Sequence, residues 1–262
     1  MKTFNKSITA VLLSLGATAF AAPVTVNIAD NYLGGNDNIS PARDVIGPVD
    51  ELDIHSIGVT IDRTTGTLSV QINTNWYDPD LSGDDGHEYH VNTGDLFIST
   101  NGWTSASDGS DNADNGEAWE YVLNTTTGKI IGGNFGILRT QDEMAGPLLP
   151  PDDPLANYYR DNQETRYKDG GTDTNKTGSV TWSSGVGFIR YDLLLTDIGI
   201  VDPLNDTLNL GFHWTMTCGN DVIEGGVLNE GGGGGGGEIP EPGTLLLAGL
   251  GLVGLGLRRK TK

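Results

Sequence analysis

The sequence predicts an all-β chain folded as an antiparallel β-sandwich, jelly-roll-like in its turns. Three features lead there. Apolar residues recur at every second position in short runs, the turns between them are rich in glycine and aspartate, and no amphipathic helix of ten or more residues can be traced.

VTVNIAD (24–30) opens the domain as a strand. Ile57, Val59 and Ile61 alternate, and Leu68, Val70, Ile72, Thr74 and Trp76 alternate after them. Asp62 to Gly66 joins the two runs as a hairpin loop, with glycine where a left-handed residue is wanted. GDLFIST (94–100) is a further strand, and Asn124 to Lys129 makes a second hairpin between AWEYVL and IIGGNFGIL. VTWSSGVGFIRYDLLL (180–195) and TLNLGFHWTMT (207–217) complete the set. PLLPPDDPLANYY, with four prolines, is a long surface loop. Trp76, Trp119, Trp182 and Trp214 fall in candidate strands and are expected in the core, whereas Trp103 follows Asn101-Gly102 at a strand end and is the candidate for stacking on a ligand.

The ends carry different information. Lys2 and Lys6 precede an apolar core from Ile8 to Leu15, and Ala19-Phe20-Ala21 presents the small residues that a signal peptidase reads. Cleavage between Ala21 and Ala22 makes residues 1–21 a secretory signal and residues 22–230 the ectodomain. Seven glycines at 231–237 open a linker (231–238) with an r.m.s. span of about 15 Å. The last segment, 239–262, holds an apolar run at 244–257. As a helix that run would be about 21 Å long, short against a hydrocarbon core of about 30 Å. Arg258, Arg259 and Lys260 stop it on the cytoplasmic side. Together these parts describe a transient membrane anchor.

Composition narrows the function classes. The chain has 35 Asp+Glu against 15 Lys+Arg, and six of the fifteen basic residues lie in the two end segments. An acidic body repels nucleic acid and anionic lipid and attracts divalent cations. Aspartates outnumber glutamates 25 to 10, which favours turns and oxygen-ligand sites. The single cysteine, Cys218, cannot form an internal disulfide and is expected as a small buried strand residue.

Pro240-Glu241-Pro242-Gly243, the apolar run and Arg258-Arg259 together resemble the PEP-CTERM sorting signal of Gram-negative bacteria. The resemblance implies recognition and tail removal by exosortase, a membrane cysteine protease, at an inner-membrane stage. Delivery to the cell surface or exopolysaccharide matrix would follow. Within the body, RDVIG, GDLFISTNGW and HWTMTCGNDVIEG are similar to PEP-CTERM carrier proteins of unassigned activity. That similarity implies a β-sandwich ectodomain and no catalytic residue.

Two acidic loops are candidate calcium ligands. Asp78, Asp80, Ser82 and Asp84 follow the first half of a calcium loop, with carboxylates at alternate positions and Gly83 for the sharp turn. Glu88 sits one residue before the twelfth position, which is Tyr89, and no flanking helices are evident. Asp108, Asp111 and Asp114 form the second loop; a solvated acidic turn is the alternative for both. His87-Glu88-Tyr89-His90 would need a bent loop to share zinc, because a strand points residues 87 and 90 to opposite faces. His55 and His213 have no partner identifiable from spacing. No nucleophile elbow, phosphate loop or dinucleotide fingerprint occurs. The expectation is an exported, non-enzymatic β-sandwich binding exopolysaccharide or matrix proteins, with Ca2+ as a candidate bridge. The alternative is an extracellular polysaccharide hydrolase on the same scaffold.

Overall fold

The computed structural model describes residues 22–31, 44–47, 49–76, 93–104, 117–135, 142–144, 163–183 and 187–229. The chain divides into two units between Gly231 and Gly232, and every described residue belongs to the first. Its strands are β1 (Val24–Ala29), β2 (Ile54–Asp62), β3 (Thr67–Thr74), β4 (Leu96–Ser99), β5 (Trp119–Leu123), β6 (Lys129–Phe135) and β7 (Asp142–Met144). They continue with β8 (Glu164–Tyr167), β9 (Thr172–Thr177), β10 (Ser179–Ser183), β11 (Phe188–Leu194), β12 (Leu208–Thr215) and β13 (Val222–Asn229). The helical elements among the described residues are one turn, α1 (Val49–Leu52), and a 3-10 turn at Leu195–Ile198.

Two antiparallel sheets form the sandwich. The first runs β1-β2-β3-β11-β10, and the second runs β13-β12-β4-β5-β6-β9; β7 and β8 make a separate two-stranded ribbon. The two expected hairpins are present. In the β2–β3 turn, Asp62 Oδ1 accepts the N–H groups of Thr64 (2.9 Å) and Thr65 (3.2 Å), and Gly66 takes φ 68°. An aspartate that bonds its own downstream backbone and a left-handed glycine are what a tight reversal requires. Asn124 does the same in the β5–β6 turn, accepting from Thr127 N–H at 2.9 Å.

The alternation sorts side chains as expected. Ile57, Val59, Ile61, Leu68, Val70 and Ile72 are buried on one face of the first sheet. They meet Leu96, Ile98, Leu210, Phe212 and Trp214 of the second sheet in one continuous core. Trp76 belongs to this core, and half-buried Trp182 lies tilted against it with ring centroids 5.8 Å apart. The second sheet is also apolar on its other face, where Phe97, Trp119, Val122, Ile131 and Phe135 form a second cluster, against which Tyr167, the last residue of β8, packs. This explains why all four residues of β4 are buried.

Polar groups cross the core in a fixed order. Trp214 Nε1–H donates to Tyr191 Oη (2.8 Å), and Thr125 Oγ1 lies 2.9 Å from that hydroxyl and 2.7 Å from Gly94 O. Gly94 O can only accept, so Thr125 donates to it and accepts from Tyr191. Asp95 is fully buried and accepts Thr125 N–H (2.7 Å), Tyr167 N–H (2.7 Å) and the Asn124 side-chain amide (3.0 Å). Burial raises its carboxyl above the usual carboxylate range, and the three donors work against that rise.

Three details differ from the sequence reading. The run at 180–195 is two strands, β10 and β11, paired antiparallel with Gly187 at φ 64° between them. Cys218 is buried, but it lies in the turn after β12 rather than in a strand. Strand β13 lies in a stretch of small and polar residues that gave no alternating signal.

Candidate functional site

The turn between β12 and β13 organises the first site. Thr215 Oγ1 donates to Asp221 O at 2.5 Å, and Gly219, at φ 62°, returns its N–H to Met216 O at 2.9 Å. Asn220 then captures the segment at 44–47. Ile46 N–H donates to Asn220 O at 2.8 Å, and the Asn220 side-chain amide donates back to Ile46 O. Asp221 itself is fully buried and accepts Ile54 N–H on Oδ2 (2.5 Å) and Val222 N–H on Oδ1 (2.9 Å). Asp30, half-buried at the end of β1, and exposed Asp44 complete the arrangement. One carboxylate oxygen from each of Asp30, Asp44 and Asp221 lies within 4.8 Å of the other two. Three hard oxygen donors from three chain segments, graded from buried to exposed, suit Ca2+ or Mg2+ and not a thiophilic metal.

A second cluster lies on the opposite face of the second sheet. His213 of β12 stands directly opposite Glu224 of β13 in the strand register. Its Nδ1 lies 2.7 Å from Glu224 Oε1, and its Nε2 lies 2.6 Å from the backbone oxygen of Glu164 on β8. The Trp103 indole N–H donates to the other Glu224 oxygen at 2.8 Å. The imidazole is fully buried between Phe97 and Trp119, each ring centroid 5.6 Å away.

A Glu164–His213–Glu224 triad has the composition of a metal site. The ring chemistry argues otherwise. Both nitrogens face oxygens that accept, so both carry protons and neither offers a lone pair to an ion. Burial is the largest influence and pushes the imidazole down. The Glu224 hydrogen bond and charge, the Glu164 charge and the Glu164 carbonyl together outweigh it and raise it to about 9. The cluster is a buried ion pair that fastens β8 over the sheet.

The predicted site residues fall as follows. Asp78, Asp80, Ser82, Asp84, Asp108, Asp111 and Asp114 lie outside the described residues, as do His87 to His90. So do Ala19, Ala21, Pro240, Glu241, Pro242, Gly243, Arg258 and Arg259, while Ala22 is the first described residue, two before β1. Trp103 is half-buried, packed on the second apolar cluster with its N–H directed to Glu224. Sequence reasoning missed the three-aspartate cluster and the His213 pair. One signal was available: RDVIG and HWTMTCGNDVIEG meet at the first site, and GDLFISTNGW meets HWTMTCGNDVIEG at the second.

The body is thus an all-β sandwich protein of two antiparallel sheets. Residues 238–260 match the family model of the PEP-CTERM protein-sorting motif. The chain thus carries a PEP-CTERM sorting signal, and that signal implies export and surface sorting through an exosortase-type processing partner. No curated protein and no solved structure matches the chain. Among the described residues no helix is long and apolar enough to cross a membrane.

Proposed function

We propose that the protein is a non-enzymatic surface or matrix component whose sandwich binds exopolysaccharide or matrix partners and takes up calcium at Asp30, Asp44 and Asp221. The observation that carries this reading is the convergence of those three carboxylates, each with an oxygen within reach of a single divalent cation. The acidic balance of the chain favours cation uptake. In the same reading an exosortase-like membrane protease removes the tail while the run at 244–257 holds the chain in the inner membrane of a Gram-negative cell. A hydrolase would need two carboxylates flanking a sugar. Glu164 and Glu224, close together beside His213, are 2% and 6% exposed and closed to a polymer, which favours the binding role.

Calcium titration of the thermal midpoint tests the site. At one hundred times its Kd, calcium adds about 2.7 kcal/mol, a rise of about 5–10 °C for a domain of this size. Asp44→Asn, at an exposed position, is expected to abolish the rise. No rise at millimolar calcium, or an equal rise in the variant, rules the site out.

A further inference from the structure

A cleft of about 330 Å3 opens beside the end of β4, the start of β12 and the connection that follows β11. Ile198 and Leu208 are buried beneath it, and half-buried Ile200 and Tyr121 line it beside them. Gly199 caps the 3-10 turn at φ 82°, and a Cβ there would lie 2.8 Å from Tyr121 Oη. Glycine therefore serves two needs at 199, the left-handed turn and the clearance that keeps the tyrosine beside the opening.

We propose that this cleft binds a neutral sugar residue of a glycan. The inference rests on the reading of the body as a glycan-binding module, and it supplies the site and the ligand class. A pyranose alternates C–H faces with hydroxyls that both donate and accept. The cleft answers with a lining that is mostly polar, into which the Tyr121 ring and the Ile200 side chain bring a small apolar face. Its volume is at the lower end of small-molecule sites, which begin at about 300 Å3, and suits one or two sugar units.

The polar inventory is open on the right atoms. Among the described residues, the Tyr121 and Thr207 hydroxyls make no hydrogen bond, so each can donate and accept. Asn209 donates its amide to Asn101 O at 2.9 Å, which leaves Oδ1 as an acceptor. Asp206 accepts Asp202 N–H through Oδ2 at 3.1 Å, and Oδ1 remains as a second acceptor.

Charge selects against acidic sugars. Among the described residues no cationic side chain lines the cleft; Arg63, whose charge acts on Asp206, has its hydrogen bonds committed within the fold. Its guanidinium donates to the backbone oxygens of Pro203 (2.6 Å), Asp206 (2.8 Å) and Asn229 (2.5 Å), and it is only 8% exposed. The charged group that lines the cleft is the Asp206 carboxylate, on a chain of formal charge −20. A uronate or sulfate would enter against that field with no cation to receive it.

The test uses the full chain in a detergent without a sugar headgroup. Malto-, cello- and chito-hexaose serve as neutral probes, an oligouronate serves as the acidic one, and binding is read by saturation-transfer NMR and calorimetry. At least one neutral probe is expected to bind. Thr207→Trp fills the cleft from an exposed position and should weaken binding at least ten-fold with an unchanged melting midpoint. Tyr121→Phe keeps the ring, removes its hydroxyl, and should weaken binding about three-fold. Binding undiminished in both variants overturns the cleft assignment while leaving a glycan-binding body in place. Preference for the oligouronate overturns the ligand class. No binding of any probe by the folded chain overturns the glycan reading altogether, whereas calcium-dependent melting is read separately and is unaffected.

Discussion

His213 Nδ1 donates to Glu224 Oε1 across 2.7 Å, between residues that face each other in adjacent strands and are both buried. This pair closes the outer face of the second sheet, because the other ring nitrogen holds the Glu164 carbonyl of β8. The sign of its pH dependence follows from the raised imidazole. The fold holds the proton to about 9, against an ordinary 6.5 for the unfolded chain. The stabilisation is therefore complete below about pH 6.5 and is lost as pH rises through about 9. Calorimetric midpoints should fall between pH 7 and 10. His213→Gln should lower the midpoint at pH 7, removing about 3–5 kcal/mol by stranding Glu224, and should flatten the alkaline slope. A slope equal to wild type in that variant would assign the alkaline loss to other groups.

Tyr191 links the two sheets through its hydroxyl. Tyr191→Phe keeps the ring but leaves the Trp214 indole N–H without its acceptor in a dry core. Denaturant unfolding should show a loss of about 1–3 kcal/mol with an unchanged m-value. An effect within about 0.5 kcal/mol would mean that the indole finds another acceptor.

Gly94 has no room for a side chain. A methyl group there would overlap the Thr215 carbonyl oxygen and lie 2.8 Å from that of Thr165, so β12 and β8 would have to part. Gly94→Ala should cost more than about 4 kcal/mol or prevent folding, measurable as lost soluble yield. Gly58→Ala is the control, since its nearest contact is an ordinary 3.8 Å to Gln71 O, and it should remain within about 1 kcal/mol of wild type.

Tail processing has a direct readout. The protein recovered from its native host should have an intact mass lacking residues 1–21 and the segment beyond the Pro240-Glu241-Pro242 motif. A surface form that keeps Arg258 and Arg259 would contradict removal of the tail.

Much of the fold was legible locally. Strands β2, β3, β4 and β12 each carry alternating or continuous apolar residues that only a sheet with a buried face can use. The β2–β3 and β5–β6 hairpins were readable because Asp62, Asn124, Gly66 and Gly128 act on their immediate neighbours. Other elements were silent for equally physical reasons. Strand β9 reads TDTNKT and exists by pairing with β6 at the sheet edge. Strand β13 carries adjacent glycines, and Gly225 is needed because Ile28 Cγ2 would lie 2.5 Å from a Cβ there. That packing depends on β1, nearly two hundred residues earlier.

By itself the sequence determined the all-β class, the main core faces and the sorting motif, all of which rest on residues close together along the chain. Tertiary structure alone decided that Asp30, Asp44 and Asp221 converge, that His213 meets Glu224, and that Tyr121 lines a cleft with Thr207. The reason is one of range. Turn chemistry and side-chain alternation act within a few residues, whereas a site depends on which strands become neighbours and in what register. That choice is made by burial of the whole core, and no spacing along the chain records it.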